Sequence, residues 1–297
     1  MKILLLGKNG QVGWELERTL APLGKVIAMG RKELDLADFA KIRETVRETK
    51  PNLIVNAAAY TAVDRAEEEQ ELAMAINGTA PGILAEEAKR VNAGLIHYST
   101  DYVFDGTKTT PYTEEDEPNP INVYGKTKLA GERAIKQVGV PHLIFRTSWV
   151  YGLRGSNFLM TILRLAQERE ELRVVDDQVG APTWSRMIAE ATAQILAQGV
   201  TQLHPFITNN SGIYHLTASG STSWHGFAKA ILELNPGRSK QLAKVIEPIA
   251  TSEYPALARR PGYSVLSNAK QNHIFRIRLP EWDYILNMAL FSGEIIQ

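Results

Sequence analysis

The sequence predicts an α/β fold, a parallel sheet doubly wound by helices, with a smaller, partly interleaved C-terminal portion. Two observations predict it. In the first half, short apolar runs at 3–6, 26–29, 53–55, 95–98 and 143–145 alternate with amphipathic stretches at 11–23, 39–49, 73–91 and 122–138. The short runs are apolar throughout rather than at every second residue, the pattern of strands covered on both sides. In the second half, helix-like stretches at 158–169, 186–198, 223–234 and 280–291 are broken by denser punctuation, such as Gly180-Ala181-Pro182 and Arg260-Pro261-Gly262. The acidic run Glu67-Glu68-Glu69 reads as a solvated helix start, where carboxylates meet the positive end of the helix dipole.

Composition narrows the class. The chain has 297 residues, 44% of them hydrophobic, enough for a full core. Lys+Arg and Asp+Glu both number 33, so there is no global pull toward nucleic acid or an anionic membrane. The absence of cysteine excludes disulfides, thiolate zinc sites and cysteine nucleophiles. The apolar run after Met1-Lys2 stops at Gly7, too short for a signal peptide, and no later stretch approaches a membrane span. These features predict a cytoplasmic protein.

Gly7-Lys8-Asn9-Gly10-Gln11-Val12-Gly13 follows the first apolar run directly and opens the first helix. Glycines let the backbone turn tightly against a pyrophosphate, and the helix N-terminus offers free N–H groups to it. Gly7, Gly10, Gln11, Val12 and Gly13 are therefore candidate dinucleotide contacts. This makes 1–150 a Rossmann-type domain, with later segments returning to it, and 151–297 mainly a substrate-binding portion. The second strand ends Met29-Gly30-Arg31-Lys32, where an NAD site usually carries an acid for the ribose 2′-hydroxyl. A guanidinium at Arg31 suits a 2′-phosphate, so NADPH is expected, with NADH as the alternative. Asp35 and Leu36 would border the adenine. Ala58, Ala59 and Tyr60, at the end of the third strand, leave room for a cofactor to cross.

Asn122-Val123-Tyr124-Gly125-Lys126-Thr127-Lys128 carries the chemistry. Tyr124 and Lys128 are four apart and share one helix face. A free tyrosine titrates near ~10. A neighbouring ammonium is expected to lower that value and to make Tyr124 a general acid for a ketone under reduction. Lys128 can also hold the nicotinamide ribose. A third group is expected at the end of the fourth strand, in His97-Tyr98-Ser99-Thr100-Asp101. Thr100 or Ser99 would bond the substrate carbonyl or the tyrosine oxygen, and Tyr98 would face the cofactor. His97 reads as a packed histidine, and no histidine shows metal-ligand spacing.

Together these residues resemble the dTDP-4-dehydrorhamnose reductase family of extended short-chain dehydrogenases. The likeness runs through nearly the whole chain and is most characteristic in Ser99-Thr100-Asp101-Tyr102-Val103-Phe104 and Arg146-Thr147-Ser148-Trp149-Val150-Tyr151. It implies reduction of the C4 ketone of dTDP-4-dehydro-L-rhamnose by NADPH, with Thr100, Tyr124 and Lys128 catalytic. It also implies substrate contacts from Thr100, Asp101 and Trp149, with Gln178 and Arg259 toward the nucleotide end. Some members of the family form a dimer bridged by magnesium held by acids on two helices. Glu15 matches one such position, but Arg186 stands where a second acid is expected, with Glu190 four further on. No metal site is assigned, and either a monomer or a homodimer is consistent with the sequence.

Two other readings share these motifs. A nucleotide-sugar epimerase or dehydratase would hold NAD tightly, and the basic Arg31-Lys32 pair weighs against it. A non-catalytic subunit similar to the methionine adenosyltransferase beta subunit would not require an intact Thr100, Tyr124 and Lys128.

Overall fold

A computed structural model describes residues 1–292. Six strands form one parallel sheet: β1 (Lys2–Leu6), β2 (Lys25–Met29), β3 (Leu53–Asn56), β4 (Gly94–Thr100), β5 (His142–Thr147) and β6 (Gly212–His215). Their order across the sheet is β2-β1-β3-β4-β5-β6. The five strands expected in the first half are all present, and the sixth is contributed by the C-terminal half, pairing with β5 from Gly212↔Leu143 to His215↔Arg146. Beside these strands stand helices α1 (Gln11–Thr19), α2 (Phe39–Thr49), α3 (Ala80–Arg90) and α4 (Val123–Val138). The C-terminal half adds α5 (Phe158–Glu168), α6 (Ser185–Gln198), α7 (Trp224–Leu234) and α8 (Trp282–Phe291).

The apolar strands divide between two cores. Ile3, Leu5, Leu53, Val55 and Ile96 pack on one face with Leu16 and Leu20 of the α1 segment and Ile188 and Ile195 of α6. Leu4, Leu6, Ile54, Leu95 and Ile144 pack on the other with Ile42, Val46, Leu84 and Ile135. Both sides of β1, β3, β4 and β5 are thereby buried, which is why those runs carry no polar alternation. A third core, built from Leu159, Ile162, Phe227, Ile231, Ile285 and Leu286, holds the C-terminal helices together.

Local differences from the sequence reading have physical causes. The first helix ends at Thr19, and Pro22 helps turn the chain into a short 3₁₀ segment at Ala21–Leu23. The helix expected at 73–91 contains a π turn at Ala75–Thr79, the kind of bulge frequent at functional sites. The acidic run is not simply solvated: Glu67 Oε1 accepts the Val123 N–H at the start of α4 (2.8 Å), and Glu69 accepts from Tyr60 Oη (2.7 Å). No helix among the described residues is long and apolar enough to cross a membrane.

Candidate active site

The strand ends of β1, β3 and β4 open into one cavity of about 1710 Å³. That exceeds the ~300–1,000 Å³ of a usual single-ligand pocket and leaves room for a cofactor and a second ligand.

At one end lies the glycine loop. Gly7 has φ +88°, a left-handed conformation that glycine adopts freely, and a Cβ there would lie 2.7 Å from the Ala58 nitrogen. Gly13 sits beneath the turn, where a Cβ would come within 2.0 Å of the Gly7 carbonyl oxygen; it does not line the cavity. No side chain caps α1, and its first turn carries no acid. The N–H groups near Gln11 and Val12 therefore face the cavity free for an anion, and the cradle fits a pyrophosphate. Lys8 Nζ and the Gly30 nitrogen both bind Glu33 (2.7 and 2.9 Å), tying this loop to the end of β2.

Arg31, Asp35 and Leu36 stand at the rim, and Ala58, Ala59 and Tyr60 line the wall. Arg31 is exposed and pairs with Asp35 at 3.1 Å. The Ala37 N–H, and then Arg31, hold the Asp35 carboxyl below its usual range. The guanidinium is tethered at the rim yet retains N–H groups directed to solvent.

Packing around α4 places the Tyr124–Lys128 pair. Asn122 caps the helix through the Gly125 N–H (2.8 Å), and its amide nitrogen donates to the Arg259 carbonyl (2.8 Å). Gly125 and Gly131 allow close approach: a Cβ would meet the Tyr102 oxygen at 2.1 Å and the Asn77 oxygen at 2.2 Å. Asn77, inside the π turn, binds both the nitrogen and the carbonyl of Tyr60 (2.9 and 3.0 Å) and reaches Thr127 Oγ1 (3.3 Å). The bulge thus joins the cavity wall to α4.

Thr100, Asp101, Tyr124, Lys128 and Trp149 all line the cavity. Thr100 Oγ1 donates to Asp101 Oδ1 (3.0 Å), and Ser148 donates to Asp101 Oδ2 (3.0 Å). Burial pushes the Asp101 carboxyl up to about 6 despite these bonds. Lys128 is buried and donates to the Tyr98 carbonyl at 2.6 Å, with His97 Nε2 at 3.2 Å. Burial brings its ammonium down to about 8, against the pull of Glu132. Tyr98 lines the cavity; its hydroxyl lies 2.7 Å from Thr192 Oγ1, and its backbone carbonyl holds Lys128.

The expected lowering of Tyr124 is reversed here. Burial raises the phenol to about 12, a hydrogen bond with Thr100 pulls it down, and the Asp101 charge adds to the rise. Lys128 spends its hydrogen bonds on Tyr98 and His97, so desolvation prevails at the phenol. Tyr124 remains protonated at neutral pH, the state a general acid requires.

Gln178 and Arg259 do not line the cavity. Gln178 is buried and accepts from Trp224 Nε1 (3.2 Å), while Arg259 is exposed and contributes its carbonyl to the Asn122 cap. Trp224 is a lining residue that the sequence reading missed. Its ring stacks on Trp149 at 3.5 Å and 4°, with Phe158 at 4.6 Å. Trp149 has φ +45°; the slab braces that uncommon backbone. Glu15 accepts from Arg186 Nε at 3.4 Å, and Glu190 is near enough to feel both charges. Among the described residues no cluster of three His, Asp or Glu side chains could hold a metal ion.

Residues 1–293 match the family model described as RmlD substrate binding domain. The chain belongs to this family. The RmlD-family chain is 50% identical over 293 residues to a dTDP-4-dehydrorhamnose reductase of Burkholderia thailandensis, covering 98% of each sequence. Among solved structures, the dTDP-4-dehydrorhamnose reductase of Clostridium acetobutylicum superposes with a TM-score of 0.87 at 39% identity, over 98% of each chain. That of Bacillus anthracis, solved in complex with NADP, superposes at 0.86 and 35% identity, over 98% of this chain and 99% of that one.

Proposed function

We infer that this RmlD-family chain reduces the C4 ketone of dTDP-4-dehydrorhamnose to dTDP-rhamnose with NADPH. One observation carries the reading: a protonated Tyr124, Thr100 and Lys128 share a single cavity with an uncapped glycine-loop helix. The named relatives, one of them solved with NADP, supply the substrate and the cofactor.

When bound, NADPH supplies the hydride. The α1 N-terminus binds its pyrophosphate, and Arg31 takes the 2′-phosphate. Lys128 orients the ribose. Thr100 bonds the ketone oxygen, and the Tyr124 hydroxyl gives that oxygen its proton as the alkoxide forms. Asp101 and Trp149 orient the sugar. Gln178 supports the site from behind Trp224, and Arg259 supports it through its carbonyl on the Asn122 cap of α4.

NADPH oxidation assayed with dTDP-4-dehydro-L-rhamnose against a panel of related keto-sugars is expected to show the rhamnose precursor preferred. A purified protein that keeps stoichiometric NAD through dialysis, and turns over none of the panel, would count against a reductase. A second expectation concerns Arg31. Arg31→Ser removes charge-assisted bonds to the 2′-phosphate, so the KM for NADPH should rise about 10- to 100-fold while that for NADH barely moves. An unchanged NADPH/NADH ratio would refute the role of Arg31.

A further inference from the structure

We propose that His97 is a positioning residue for the reaction: its tautomer, fixed by Asn56, sets a ring N–H against Lys128 Nζ, opposes the ammonium form and so sets the pH at which the lysine gives up its proton. The proposal rests on the reductase reading for its catalytic meaning, but the hydrogen-bond argument is independent of substrate.

The argument starts at the end of β3. Asn56 Oδ1 accepts the Ala58 N–H at 3.2 Å, which turns the amide nitrogen toward His97, with Asn56 Nδ2 lying 3.2 Å from His97 Nδ1. An amide nitrogen only donates, so His97 Nδ1 must accept. The proton of the neutral ring then sits on Nε2, which faces Lys128 Nζ at 3.2 Å. His97 is neutral because it is buried and Lys128 and His142 repel its charge; its pKa lies well below the usual value.

An ammonium has three hydrogens and no lone pair. Facing an N–H, it would set donor against donor in a buried place. As an amine, Nζ accepts from His97 Nε2 and still donates to the Tyr98 carbonyl at 2.6 Å. All four groups of the chain Ala58–Asn56–His97–Lys128 are then satisfied in one direction, as a buried polar network requires. The groups that favour the ammonium are Glu132, one turn along α4 and itself held by Arg146 of β5 and Ser99 of β4, and the phenolate that Tyr124 becomes. Glu132 and the developing phenolate thus pull Lys128 toward the ammonium, and the His97 N–H pulls the other way, so the histidine sets the pH at which that proton is lost. The same link joins Lys128 to the Asn56–Ala58 backbone that borders the cavity.

Two measurements test this. With ¹⁵N-labelled histidine, His97 in the free protein at pH 7 is expected to show a protonated Nε2 and a bare Nδ1. Its signals are identified by their loss in His97→Gln or their shift in Asn56→Asp. An Nδ1–H tautomer, or an imidazolium, would overturn the proposal, and neither outcome depends on turnover. In the assay, His97→Gln places an amide oxygen where the ring N–H stood, so Lys128 keeps its proton to higher pH. The alkaline limb of kcat/KM should move up by about one pH unit, with a smaller change at the plateau. Asn56→Asp, which turns the ring over by accepting from Nδ1–H, should move the limb the same way. A limb that stays in place or moves down in both variants would show His97 to be only packing. Failure of the reductase reading would appear separately, as no turnover of any keto-sugar by the unaltered protein.

Discussion

Tyr124→Phe is expected to lower kcat by a factor on the order of 10²–10⁴, the range a positioned general acid contributes. The substitution removes one oxygen and little else. The ring keeps its edge-on contact with Tyr102 at 5.9 Å, and the helix keeps the Asn122 cap and the close seats of Gly125 and Gly131. Cofactor binding should change little, because the glycine loop, Arg31 and Lys128 are untouched. Turnover of dTDP-4-dehydrorhamnose, followed by NADPH absorbance, reads the first effect, and a fluorescence titration with NADPH reads the second. Near-normal turnover would remove Tyr124 as proton donor. An equal loss of cofactor affinity would make its role structural. Held near 12, the phenol keeps its proton at neutral pH, as a donor must.

The strands were legible for a simple reason: β1, β3, β4 and β5 are buried on both faces, so their residues are apolar in succession. The helices were legible by their period, and the start of α4 by the residue type of Asn122. The π turn at Ala75–Thr79 was not legible. It answers to the packing of Gly131 against the Asn77 carbonyl, a contact between residues far apart in the chain. Two-residue strands such as Val150–Tyr151 and Thr183–Trp184 are too short to carry a period. At the site, spacing placed Tyr124 and Lys128 on one face but could not reveal the burial that raises the phenol, nor that the lysine bonds Tyr98 and His97 instead. Trp224 escaped notice because its meaning lies in a stack with Trp149 that no local pattern signals. Sequence reports periodicity and chemistry within one element; desolvation and contacts between elements belong to the fold.

Glu132→Leu is expected to be the most destabilising single change near the site, at a cost of about 3–5 kcal/mol. Glu132 is buried on α4, its carboxylate bound by Arg146 Nε and Nη2 at 2.9 and 2.7 Å and by Ser99 Oγ. Removing it takes the bonded carboxylate from the buried Arg146 guanidinium, and Arg146 Nη1 already has no hydrogen-bond partner. The Ser99 hydroxyl, one residue before Thr100, loses its acceptor as well. Thermal or urea unfolding measures the effect, and a fall in Tm of roughly 5–8 °C is expected for a chain of this size. Glu132→Leu combined with Arg146→Met discriminates the cause. If the cost is the stranded charge, the double variant recovers most of the loss, because a buried ion pair adds little over well-packed apolar side chains. If it unfolds as readily as Glu132→Leu, the pair itself stabilises the junction of α4, β4 and β5. That junction carries Lys128, Thr100 and Arg146 together, so activity should follow stability only in the second case. In the first, a stable double variant should still lose rate, since the Glu132 charge that favours protonated Lys128 is gone.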